Sequence, residues 1–373
     1  MTHRERILAV YQGQTPDVVP CMLDLSHWYL HKHQLPWDLS ARHDEPDRQL
    51  IDYHRRMDVG FYIDNLGSFF DTHVLDDVTM RTHKHVVDGV PEIVWQIETP
   101  LGRIERRRRW EEKSYAWGIS QWGIRDERDL RIFAGAMSRR RFQSDWKTYQ
   151  RWADEVGDLG VVYLMIGYSA MGYLMHYWMG VEGAIYATED FPDAMHEAVD
   201  AVNANILELV DLVVTSPAPV IMMGDNFSSD IQPPAFFDRW TRPFYEQAVE
   251  RLHRAGKFVA VHIDGQLKGA IAMIRKTGAD CGDAITPAPM GDLTPAQCRA
   301  EAGRDFVLSG GISPELWSTS VPLETFSQKV FDWLELKAQS SRLIVAAGDQ
   351  VPPGADEDRL KIMRDLIETH GTY

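Results

Sequence analysis

Cysteine is scarce in this chain: 373 residues contain three, Cys21, Cys281 and Cys298. They are too few and too scattered for a disulfide framework, so a reducing, cytoplasmic setting is expected. Long apolar runs are also missing. No stretch approaches the roughly 20 apolar residues that a membrane span needs, and the opening MTHRERILAVYQG reads as a short helix rather than a signal peptide. Positive charge is in deficit, with 39 Lys and Arg against 55 Asp and Glu and a formal net charge of −16. Nonspecific nucleic-acid binding rests on clustered cations, so it is disfavoured. Two arginine runs, Arg106 to Arg109 and Arg139 to Arg141, read as solvated faces or inter-subunit salt-bridge patches. Three chemical signatures are absent as well. Without GxGxxG after the first strand, or GxxxxGK[ST], a nucleotide-binding open sheet loses support, and without GxSxG so does a hydrolase triad.

What the sequence does contain is alternation. Apolar runs at 160–167, 219–226, 257–264, 279–285, 305–312 and 342–349 are separated by helical patterns, among them 191–214, 234–255 and 323–338. Two earlier runs, VVPCMLDLS (18–26) and VGFYIDN (59–65), bring the strands to about eight. Right-handed βαβ units in that number and length predict an α/β fold, a (β/α)8 TIM barrel, formed as one domain over 1–373. Residues 78–118 break the pattern. Their short β-type runs, divided by Asp88-Gly89 and by PLG, predict an antiparallel β insertion.

Active sites of such barrels lie where the strands end. Read in order, those ends carry Asp24, Asp64, Tyr168, Asp225 with Asn226, His262 with Asp264, Asp283 and Asp349. In a strand continuing through 264, His262 and Asp264 would share a face. Crowded carboxylates must either take up protons or surround a cation, and His262 with its acids suits a divalent metal. Each aspartate alone has a structural reading, as a cap for the next helix. The aromatic stretch YSAMGYLMHYWMG (168–180) reads as a core helix or as one wall of the cleft, and Cys281 as an inert core thiol or a residue lining the site. His27, His31 and His33 lack a carboxylate at a spacing that would complete a zinc motif, so they are expected at the surface or cleft rim, and His83 and His85 are expected to be exposed on the insertion.

Several stretches together resemble the uroporphyrinogen decarboxylase superfamily: RERILAVYQGQTPDVVP, ETPLGRIERRRRW, GDNFSSDIQPPAFFDRWTRPFYEQ, AVHIDGQLKG, VLSGGISPELW and AAGDQVPPGADEDRL. The resemblance spans nearly the whole chain and is closer to the methylcobamide:thiol methyltransferase branch than to the heme-pathway decarboxylase. It implies a (β/α)8 barrel with one deep cleft and a dimer. In that branch a His-x-Cys pair and a later Cys hold zinc. Here His262 matches the His, Asp264 and Asp349 stand where the cysteines are usual, and Asp283 stands where many relatives have Glu. Oxygen in place of sulfur argues against methyl transfer to a thiol and for a harder metal site. The arginine-rich RQAGR signature of the decarboxylases is replaced by CMLDLSHWYLHKHQ, which has no arginine.

Two enzyme readings and one binding reading follow. The first is a metal-dependent methyltransferase-like enzyme that demethylates a small O- or N-methyl compound with a partner corrinoid protein carrying a cobamide. In it His262, Asp264 and Asp283 are catalytic, His262, Asp264 and Asp349 hold the metal, zinc by preference, and Asp24, Tyr168, Asp225 and Asn226 bind substrate. The second is a metal-free decarboxylase or lyase acting on a small carboxylic acid. The third is a non-catalytic barrel that sequesters a cobamide or small ligand.

Overall fold

The computed structural model describes the chain apart from residues 36, 39–44, 63–68 and 76 and the side chains of 45–47. The strand-end Asp64 therefore lies outside the described residues. Among the described residues fourteen strands follow in chain order. They are β1 (Met22–Leu23), β2 (Gly60–Phe61), β3 (Phe70–Val74), β4 (Thr79–Val87), β5 (Val90–Thr99), β6 (Gly102–Glu111) and β7 (Ala116–Gln121), then β8 (Arg140–Ser144), β9 (Leu164–Met165), β10 (Val220–Met223), β11 (Phe258–His262), β12 (Cys281–Ile285), β13 (Val307–Gly311) and β14 (Leu343–Ala346).

The chain is mixed α/β, centred on a six-stranded parallel sheet in the order β14-β13-β12-β11-β10-β9. Parallel strands covered on both faces read as continuous apolar runs, and β10 (VIMM) and β14 (LIVA) are buried at every position. A parallel pair, β1 with β2, meets both edges of that sheet. Cys21 bridges Val345 beside β14, and Phe61 bridges Gly160 just before β9. Pro20 lacks an N–H but its carbonyl accepts from Val345 at 2.9 Å. A compact apolar cluster draws Met22, Tyr163, Met222, Ala260, Cys281 and Ile344 from successive strands and is capped by Ile7, Val10 and Tyr11 of the first helix. Cys281 lies here against Tyr11 and Tyr163, where burial pushes its thiol well above the ordinary range, so it is a core residue.

Helices form where the apolar period and the caps agree. Thr294 caps the helix Pro295–Ala302, with Gln297 reciprocating and Pro295 in the first turn. The expected helix over 234–255 is divided into Pro234–Trp240 and Arg242–Arg254. Pro243 has no N–H to continue the first helix and suits only the opening turn of the second.

Residues 79–121 form a four-stranded antiparallel sheet, β4-β5-β6-β7. Asp88 and Gly89 take φ of 52° and 78°, as a two-residue hairpin turn requires. The sheet buries Ile97 and Ile104 against the helix Glu127–Met137.

Candidate active site

Five side chains, Asp24, Tyr62, His262, Asp283 and Asp349, line a narrow cleft together with Ala346, Gly348 and Gln350, and its enclosed volume of about 10 Å³ is room for about one water. The parallel ladder assembles them. His262 is the last residue of β11 and stands in register with Asp283 of β12. Asp24 follows β1, Tyr62 follows β2 and Asp349 follows β14.

Asp283 is the hub. Its Oδ2 accepts from the Tyr62 hydroxyl at 2.8 Å and lies 3.2 Å from His262 Nδ1. Nδ1 of His262 is thus turned to Asp283, and its Nε2 to the cleft. Nε2 lies 3.8 Å from Asp349 Oδ1. Asp283 sits at an irregularity: the β12–β13 register shifts between Gly282 and Ile285, and Ala284 takes φ 59°. A bulge with a non-glycine residue at positive φ is strained, and such strain is common where a side chain is re-aimed at a site.

Asp24 is the second centre. It is 2% exposed. Its Oδ1 accepts from the Ser26 amide at 2.8 Å and the Ser26 hydroxyl at 2.5 Å. Its Oδ2 is buried and meets no well-aligned donor, although the Gln350 side chain lies close enough to lower its pKa. Burial, opposed by the Ser26 bonds and assisted by the charge of Asp349, raises its pKa to about 6. Asp349 faces the cleft with 45% of its side chain exposed. The protein packed around it still displaces enough water to raise its pKa, with His262 pulling it down and Asp264 and Asp283 pushing it up.

The other expected residues separate into distinct places. β11 ends at His262, so alternation does not carry to Asp264, which is exposed on the following loop with its amide bonded to Phe227 O at 3.1 Å. Asp225 is fully buried. Its two oxygens hold the Ser169 amide at 2.5 Å and the Tyr245 hydroxyl at 2.7 Å, so it anchors the helix start at 170 and faces no ligand. Asn226 is half-buried at φ 44°, a conformation asparagine tolerates. Tyr168 is half-buried and stacks on Tyr177 and His176 at 4.9 and 5.9 Å. His27 is held by Tyr115 O at 3.0 Å and His31 packs on the Tyr115 ring, so both serve the packing of the rim.

A metal centre needs donors that converge. Among the described residues no three His, Cys, Asp or Glu side chains form a group able to hold an ion. His262 and Asp349 approach each other, but Asp264 does not complete a set with them. The residues described do not fit a three-ligand zinc centre.

Sequence reading missed Tyr62, which carries no motif and is one aromatic in an apolar run. It also took Arg106 for a solvated residue. Arg106 is 6% exposed, its guanidinium stacked on Trp95, Tyr177 and Trp178 at 4.2, 4.8 and 5.3 Å.

The uroporphyrinogen decarboxylase (URO-D) family model matches residues 159–370. A solved structure titled methyltransferase from Methanosarcina mazei superposes with a TM-score of 0.63 at 12% identity, covering 99% of this chain and 99% of that chain. A muconate cycloisomerase from Pseudomonas fluorescens covers 81% of this chain and 78% of its own at 8% identity, but its TM-score of 0.28 carries no argument. No curated protein matches the sequence. No helix among the described residues is long and apolar enough to cross a membrane. The family match includes the strands bearing His262, Asp283 and the residues before Asp349, and it spans more than half of the 373 residues: the chain belongs to the uroporphyrinogen decarboxylase family.

Proposed function

We propose that the chain is a methyltransferase-like enzyme that demethylates a small O- or N-methyl compound in the cleft between Asp24 and His262. The methyl group would pass to a cobamide carried by a partner protein. The observation that carries this reading is Asp24: a buried acid with one oxygen tied to Ser26, the other without a well-aligned donor beside Gln350, and a pKa of about 6. The fold shared with a protein titled a methyltransferase supports it. The single bridges from β1 and β2 to both edges of the large sheet support a closed (β/α)8 barrel around the cleft.

The chemistry is as follows. In a methyl ether the C–O bond breaks, the methyl carbon goes to the acceptor nucleophile, and the oxygen keeps the bonding electron pair. That oxygen needs a proton if it is to leave as an alcohol. Asp24, protonated in part at neutral pH, supplies it and recovers one from the cleft solvent. His262, fixed by Asp283 and Tyr62, orients the departing oxygen through Nε2. Positioned proton transfer of this kind contributes about 10²- to 10⁴-fold.

The raised acid would also suit a decarboxylase or lyase, where it would protonate a carbanion. Against that stands the charge of the cleft. Asp24, Asp283 and Asp349 line it, and Asp264 lies close enough to act on Asp349, so a carboxylate reacting at that end would meet like charge.

The test is an anaerobic assay with reduced free cobalamin as acceptor and a panel of methoxy and N-methyl compounds, followed by the absorbance of methylcobalamin. Transfer by wild type and a loss of about 10²-fold or more in Asp24→Asn are expected. Carbon dioxide release from a carboxylic acid, with no methyl transfer from any compound, would replace this reading with the lyase.

A further inference from the structure

We infer that Arg106 and Arg108 form an anion site at the rim of the same cleft, and that it takes the carboxylate of an organic substrate whose methylated end lies at Asp24 and His262. The inference deepens the proposed function and rests on reading the cleft as a substrate site.

The sequence places Arg106 and Arg108 two apart on β6, hence on one face, with Arg107 and Arg109 on the other. The two faces differ. Arg107 is neutralised by Glu92 at 3.0 Å and by Glu105 at 2.5 Å. Arg106 and Arg108 have no acidic partner within 4.0 Å among the described residues. Of the five N–H donors of Arg106, one reaches an acceptor, Tyr177 O, at a long 3.5 Å. Its Nε is buried without a partner, as are Nε of Arg108 and, on the other face, Nε of Arg109, whose Nη2 is spent on Val87 O at 3.1 Å. A buried guanidinium without a counter-charge is costly. Stacking on Trp95, Tyr177 and Trp178 recovers part of that cost. Arg108 lies over the same Tyr177 ring, at 5.3 Å. Two like charges on one aromatic ring, both with open donors, await an anion.

Two relations lead from the pair toward the active site, and two irregularities mark the segments that carry and contact it. The Tyr177 ring stacks on Tyr168 at 4.9 Å. His176, next in sequence to Tyr177, is close enough to Arg108, Asp264 and His262 for all three charges to act on it. Residues Leu174–Trp178 form a turn of π-helix, a rare geometry found mostly at functional sites. The β6–β7 ladder also shifts register at Arg107 and Arg108, a bulge of the kind that re-aims side chains. The residues lining the cleft are thus acidic, and the cationic pair lies beyond that lining, past His176. A molecule neutral at one end and carboxylate at the other matches both, because each guanidinium offers parallel donors to a carboxylate and the tyrosines offer faces to a flat body.

Benzoate, benzamide and inorganic phosphate serve as probes, titrated by the intrinsic fluorescence of the tryptophans around Arg106. The proteins are wild type, Arg108→Gln and, as a control on the opposite face, Arg109→Gln. Saturable benzoate binding is expected, at least tenfold weaker for benzamide and at least tenfold weaker in Arg108→Gln, and unchanged in Arg109→Gln. Circular dichroism checks that Arg108→Gln is folded. Equal binding of benzoate and benzamide, or undiminished binding by a folded Arg108→Gln, would overturn the anion site. Phosphate binding more tightly than benzoate would overturn its assignment to an organic carboxylate. Binding is read without turnover, so a failure of methyl transfer leaves this result standing, and the two readings can fail separately.

Discussion

Replacing Asp24 by asparagine should make the protein more stable relative to wild type as pH rises. The substitution removes the charge and keeps an oxygen for Ser26 to bond. Burial lifts the Asp24 pKa from 3.8 to about 6. At about 1.4 kcal/mol per unit, ionisation costs the folded state about 3 kcal/mol more than the unfolded chain. The folded protein holds this proton more tightly, so the contribution of Asp24 is most favourable below about pH 4, declines as pH rises through about 6, and is lost above about pH 7. Asparagine does not titrate, and any constant cost of its amide beside Gln350 cancels in the comparison. The stability of Asp24→Asn minus that of wild type should therefore increase by about 3 kcal/mol between about pH 4 and 8. Urea unfolding at stepped pH, followed by circular dichroism, measures it. A difference independent of pH, or one that falls as pH rises, would show that Asp24 is an ordinary ionised carboxylate, and its role as proton donor would fall with it.

The remaining predictions test other parts of the argument. Elemental mass spectrometry of protein purified without chelator should find no stoichiometric zinc, and one zinc per chain that is lost in His262→Ala would refute the donor geometry described above. Gly172→Ala should lower stability by about 1–3 kcal/mol, because its Cβ would lie 2.4 Å from an Asp225 oxygen already held by Ser169; a shift in melting temperature within error would mean that Asp225 yields easily. His54 is fully buried and its pKa is lowered to about 4, so it stays neutral in the folded protein while the unfolded chain protonates near 6.5. Its contribution is lost as pH falls from about 6.5 to 4, opposite in sign to that of Asp24. An NMR titration that finds His54 charged at pH 6 would contradict it.

Much of the sheet was legible because buried parallel strands write themselves as apolar runs ending in polar residues. His262, Asp283, Asp24 and Asp349 were found that way, at strand ends that do line one cleft. The same rule overreached at Asp225, where the Ser169 amide and the Tyr245 hydroxyl, 56 and 20 residues away, draw the carboxylate into the core. It overreached at Asp264 too, since alternation holds only while the strand lasts and β11 stops two residues earlier. Tyr62 was invisible because a tyrosine in an apolar run looks like packing until its partner Asp283, 221 residues on, is brought to it. The arginine run concealed its two faces because charge alone does not say which side of a strand meets the protein.

The parallel strands are not joined evenly around the cleft. β10 and β11 share four residue pairs, whereas Phe61 and Gly160 share one isolated bridge. That bridge is a seam, and the antiparallel sheet bearing Arg106 and Arg108 falls in sequence between its two sides. The Tyr62 hydroxyl, bonded to Asp283 from the residue after β2, ties one side of the seam to β12 of the large sheet. It works as a clasp. Amide hydrogens at Phe61 and Gly160 should exchange faster than those of β10 and β11, and removing the Tyr62 hydroxyl should widen that difference.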